Sequence, residues 1–157
     1  MKSVLYRARA RTAAACFLFV VAAGSQAHAD SPQQTVRSVF DGVFTAEQSA
    51  RGKAQYLKTC KRCHKENLAG DLEDDDEVPP IVGDKFLAEW TKWTVGDLFE
   101  FLTTEMPPKR KDRLKVSDKN HADVLAYILK QNGFPVGNVE LPPTLEVLLE
   151  IEMSPSE

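Results

Sequence analysis

Cys60, Cys63 and His64 stand together in Cys60-Lys61-Arg62-Cys63-His64, two thiols and an imidazole within five residues. On a helical turn, positions i, i+3 and i+4 share one face, so all three side chains can be turned on one partner. This is the spacing of a covalent haem attachment site: both sulfurs reach the vinyl edges of one porphyrin while the imidazole faces its iron. The same donors bind zinc, but a structural zinc site takes four protein ligands, and His121 is 57 residues away. A disulfide or a thioredoxin-like redox pair would use the two cysteines. No βαβ pattern surrounds them, however, and His64 would have no task. Haem is the reading that uses all three residues, and its chemistry is electron movement.

An iron held by His64 needs a sixth ligand or an open position. Met106 is the candidate, in Thr104-Glu105-Met106-Pro107-Pro108. Proline has no amide hydrogen and drives the preceding residue into extended backbone, which holds Met106 out of a helix and fixes its thioether. Thioether with imidazole raises haem potential and suits electron transfer. The alternative is a core methionine before a turn. Met153 lies in the tail, and His121 is read as an exposed first-turn residue.

The elements that must position these residues are helical. Thr45 and Gln48 make a capping-box start for a helix from about Ala46 to the cysteine pair, with Ala50, Ala54 and Leu57 at helical spacing. Gly52 and Tyr56 lie eight and four residues before Cys60, on its face. A mid-helix glycine costs about 1 kcal/mol relative to alanine, so a second helix crossing closely there would explain it; a tolerated surface glycine is the alternative. Ser117 caps a helix over 118–131 that stops at Asn132-Gly133, with Val124, Leu125, Ile128 and Leu129 as its apolar stripe and Tyr127 beside them. A third helix spans 95–104 behind Thr94, with Leu98, Phe99, Phe101 and Leu102 buried. Strand signals are scarce, so the fold class is all-α.

Residues 1–29 read as a signal peptide. Lys2, Arg7, Arg9 and Arg11 precede an apolar run from Ala13 to Ala23, and Ala27-His28-Ala29 gives a cleavage site before Asp30. Eleven apolar residues fall short of the ~20 that span a bilayer; an uncleaved anchor is the alternative. Cys16 would leave with the signal, so Cys60 and Cys63 are the remaining cysteines. The chain carries 20 basic and 23 acidic residues. Losing four basic ones leaves 16 against 23, a net of −7 over 128 residues. That charge argues against general nucleic-acid or anionic-membrane binding, and the length fits one domain.

The set Gly52, Tyr56, Cys60, Cys63, His64, Pro80, Met106 and Tyr127 resembles class I c-type cytochromes over roughly 44–134. Ala122-Asp123-Val124-Leu125-Ala126-Tyr127-Ile128 is similar to that family's last helix, and Val78-Pro79-Pro80-Ile81-Val82-Gly83 to its proline loop. The resemblance implies a class I cytochrome c fold of three to five helices around one covalent haem c, with an extended C-terminal tail. It implies that His64 and Met106 ligate the iron and that the Pro80 carbonyl orients His64, with Pro79 the less favoured provider. The domains expected are a signal at 1–29, a flexible leader at 30–43, a cytochrome domain at 44–137 and an extension at 138–157. The Met-Pro-Pro turn and Asn132-Gly133-Phe134-Pro135-Val136-Gly137 are similar to small bacterial cytochromes found beside periplasmic dehydrogenases, some of them quinone-cofactor dependent. The implied function is a periplasmic carrier of single electrons between a dehydrogenase and a respiratory-chain component, with redox proteins as partners and no catalytic residues. The alternatives are a dedicated cytochrome subunit of such a dehydrogenase, or a haem sensor or enzyme with an open sixth position.

Four segments add expectations. The acidic cluster from Asp71 to Glu77 is read as a solvated loop, with calcium as the alternative. Lys109, Arg110, Lys111, Arg113 and Lys115 either steer an acidic partner toward the haem edge or form a charged surface loop. Trp90 and Trp93 are expected to line the haem pocket. The tail, broken by Leu141-Pro142-Pro143, packs on its own domain or docks on a partner as a short helix.

Overall fold

A computed structural model describes residues 37–71 and 77–155. The signal peptide, Cys16, the first part of the leader and residues 72–76 of the acidic cluster lie outside the described residues. In chain order the elements are β1, Arg37–Ser38; α1, Ala46–Thr59; α2, Lys61–His64; α3, Asp84–Trp90; α4, Val95–Glu105; α5, Arg110–Arg113; α6, Asp118–Gln131; α7, Leu145–Leu148; and β2, Ile151–Glu152. Among the described residues the fold is all-α apart from that two-residue parallel pair and two isolated bridges, Asp71–Val78 and Thr94–Glu152. Among the described residues, three of the seven α-helices are single turns of four residues, and Val39–Asp41 adds a 3-10 turn.

Local capping sets where the long helices begin. Thr45 Oγ1 accepts the Gln48 amide at 3.0 Å, and Ser117 Oγ accepts the Asn120 amide at 3.3 Å. Thr94 and Asp97 form a reciprocal capping box, each side chain accepting the other's amide. The box expected at Thr45 is only half made. Gln48 instead turns inward, fully buried, donating to the Leu141 carbonyl at 2.9 Å and accepting the Leu141 amide at 2.8 Å. A buried amide needs both partners, and the C-terminal segment supplies them.

Gly52 explains how α1 and α6 come together. A Cβ at this position would lie 1.8 Å from the Asp123 carbonyl oxygen, so only glycine lets the backbones approach. One turn on, Tyr56 and Tyr127 pack with ring centroids 5.4 Å apart. Every residue from His121 to Leu129 is buried, more than one apolar stripe requires, because α6 packs on both α1 and α4.

Asp123 sits in that buried stretch and is neutralised there. Arg51 donates to both of its oxygens, at 3.0 and 3.1 Å, and Lys119 to one at 3.1 Å. Burial alone would push this carboxyl up, but the two cations more than offset it and hold it below the usual carboxylate range. A carboxyl that titrates lower folded than unfolded stabilises the fold above about pH 4, and that contribution fades as pH falls through the folded value. Thermal unfolding of Asp123→Asn should therefore show a shallower loss of stability below about pH 4 than the parent.

The leader is packed from Arg37 onward. Val39, Val43 and Phe44 are buried, and β1 pairs with β2 at the far end of the chain. Ser38 Oγ donates to the Ser154 carbonyl at 2.5 Å. The tail packs on its own domain, the first of the two readings above. Leu141, Leu148, Ile151 and Met153 are fully buried, and α7 lies against α4, where a Cβ on Gly96 would meet the Leu149 backbone at 2.5 Å. It is not fully extended, since α7 supplies one helical turn.

Candidate haem site

Cys60 ends α1 and opens the turn that carries the motif. Its carbonyl accepts the Cys63 amide at 3.1 Å and the His64 amide at 3.0 Å. That turn places Cys60, Cys63 and His64 on the lining of one cavity of about 360 Å³. Met106 lines the same cavity from the end of α4, where its backbone is extended at φ −117° and ψ 134°, as the following proline demands. Leu98, Leu102, Val124 and Ile128 add apolar wall, together with Phe86, Trp90 and Phe101. The Trp90 ring packs 5.6 Å from Phe101 and 6.2 Å from Phe86.

The donor set of this lining suits a covalently attached metal macrocycle. Both cysteines are free rather than joined to each other. Burial pushes the Cys60 thiol up. Burial also pushes His64 down, against a hydrogen bond to the Pro79 carbonyl that favours its charged form. Its Nδ1 lies 3.3 Å from the Pro79 carbonyl. A carbonyl only accepts, so Nδ1 carries the hydrogen and Nε2 presents its lone pair, the arrangement of a metal-bound histidine. Among the described residues no group of three or more His, Cys, Asp or Glu side chains is placed to hold a metal ion, which leaves zinc without a ligand set there. Two thiols, one oriented imidazole and one thioether around an apolar cavity fit haem c.

A family model described as cytochrome C oxidase, cbb3-type, subunit III matches residues 47–128. The chain belongs to this cytochrome family. No curated protein matches the chain, and no solved structure does. The matched segment of the cytochrome runs from the first turn of α1 into α6, so it holds the attachment motif, Met106 and the helix crossing. No helix among the described residues is long and apolar enough to cross a membrane.

Several residues of the cytochrome stand where the sequence did not put them. The carbonyl at His64 is that of Pro79 and not Pro80, which lines the cavity instead. Trp90 is in the wall, but Trp93 is 46% exposed, and its carbonyl accepts the Met153 amide at 3.1 Å. Phe101, expected in the core, is partly open on the cavity. His121 is buried rather than exposed, and its Nε2 lies 3.3 Å from the Met106 carbonyl. Its register held the signal, because positions 121, 124, 125 and 128 form one stripe. Lys109, Arg110, Lys111 and Lys115 are exposed beside the cavity-lining Pro107 and Pro108, whereas Arg113 turns inward to the Pro107 carbonyl.

Proposed function

We propose that the protein is an exported, periplasmic carrier of single electrons. One haem c would be bound through Cys60 and Cys63, with His64 and Met106 as axial ligands. The observation that carries this reading is that those four side chains line a single apolar cavity. When bound, the haem supplies a one-electron couple whose potential depends on its ligands and their surroundings. The chain's own part is to bind and orient. Cys60 and Cys63 would hold the macrocycle, the Pro79 carbonyl orients the His64 ring, and Met106 would supply a thioether donor and leave no open position for oxygen or a substrate. Leu98, Leu102 and Trp90 keep water away.

Purified holoprotein tests this. Its denatured mass should exceed the polypeptide mass by one haem, an increment lost in Cys60→Ala/Cys63→Ala. The reduced form should leave its visible spectrum unchanged under carbon monoxide. A prompt carbon monoxide shift would reject the carrier in favour of an open-site sensor or enzyme.

The partners proposed are a dehydrogenase as donor and a respiratory-chain component as acceptor, met at the surface beside Pro107 and Pro108. The exposed Lys109, Arg110, Lys111 and Lys115 favour an acidic partner there. An anionic small-molecule reductant should then reduce the haem faster than a cationic one of equal driving force, and Lys109→Glu/Lys111→Glu should reverse that order. Rates that follow the chain's overall negative charge instead would reject the surface. A second reading, a subunit fixed in a larger assembly, is favoured by the family's printed description as an oxidase subunit. Native extracts separate the two, since a free carrier elutes at domain size.

A further inference from the structure

Pro107 and Pro108 have no amide hydrogen, so beyond Met106 the backbone of this segment can be held only by its carbonyls. Two successive carbonyls are held. Nε2 of His121 is 3.3 Å from the Met106 oxygen, and Nη1 of Arg113 donates to the Pro107 oxygen at 3.0 Å. Because a carbonyl only accepts, Nε2 carries the hydrogen that meets the Met106 oxygen. Its Nδ1 is buried without a well-formed hydrogen bond, and the Ser117 backbone one turn back is the ring's second polar neighbour. His121 itself is 5% exposed, in the buried stretch of α6. An apolar side chain would fill the place with no orphaned nitrogen. The contact to Met106 is what the imidazole offers in return.

We propose that His121 and Arg113 are positioning residues for Met106. From α6 and α5 they grip consecutive carbonyls of the Met106-Pro107-Pro108 strap and so keep the thioether presented to the cavity. The proposal rests on the reading of Met106 as axial ligand. Neither residue touches the cofactor in this role, and their effect is on how readily Met106 gives way.

Titrating ferric holoprotein with imidazole, while following the weak far-red band of Met–iron bonding, measures that readiness. In His121→Leu and in Arg113→Ala the imidazole concentration that displaces half of the band should fall about fivefold, the size of one ordinary hydrogen bond. Circular dichroism should stay unchanged. His121→Gln, which keeps an N–H near the Nε2 position, should restore the parent value. If His121→Leu fails to fold, Arg113→Ala still decides, because Arg113 is only partly buried on a single-turn helix. A band present in the parent, absent in Met106→Ala and displaced equally easily in Arg113→Ala overturns the positioning role alone. A parent protein with no such band overturns the ligand assignment beneath it, and the proposal with it.

Discussion

Gly52→Ala is expected to destabilise the domain by at least about 3 kcal/mol, although alanine is favoured over glycine within helices by up to about 1 kcal/mol. The sign reverses because of what the new methyl would meet. Its carbon would lie 1.8 Å from the Asp123 carbonyl oxygen and 3.0 Å from the Tyr127 Cβ. The first of these is backbone inside a buried helix, which has no rotamer to change. Relief requires α1 and α6 to move apart, and that loosens the Tyr56–Tyr127 packing and the Arg51 hydrogen bonds to Asp123 together. Ala54→Gly, on the exposed side of α1, should cost about 1 kcal/mol through helix propensity alone. Denaturant unfolding of both variants sets the two effects against each other. A Gly52→Ala protein as stable as its parent would mean that the helices do not cross at this point.

Met106→Ala should abolish the far-red band and lower the reduction potential by on the order of 0.1 V or more, within the ~0.8 V range that axial ligands span. A thioether is a weak, soft donor that favours the reduced iron, so its removal shifts the balance toward the oxidised form. The same variant should bind carbon monoxide rapidly when reduced. Folding should survive, because Met106 is only partly buried and its backbone amide remains bonded to the Leu102 carbonyl at 3.3 Å. Potentiometry with visible spectra checks all three outcomes. A variant that keeps the parent's band and potential would show that another side chain, or none, completes the iron's coordination.

What could be read from sequence was what is decided locally. Thr45, Thr94 and Ser117 each satisfy an amide within three residues, so the starts of α1, α4 and α6 were visible in the chain itself. The attachment motif is equally self-contained. Legibility ended where a partner is distant or two neighbours compete. Gln48 binds Leu141 across 93 residues, which turned a capping residue into a core one. Pro79 and Pro80 offer carbonyls on adjacent residues, and only the path of the loop decides which one faces His64. His121 keeps to the apolar register, yet its place in the first turn of its helix reads as exposed; its burial depends on α6 being enclosed on more than one side. The inward-facing tail residues were legible as apolar, though not the groove beside Gly96 that receives them.

The parallel pairing of Arg37–Ser38 with Ile151–Glu152 makes the order of synthesis matter. Arg37–Ser38 has no strand partner until Ile151–Glu152 has been made, and Gln48 and Gly52 likewise wait for Leu141 and α6. Contacts so far apart in the chain give a slow, all-or-none folding step rather than growth from the N-terminus. A nascent chain therefore cannot complete this core until the segment from Leu141 to Glu152 has been made.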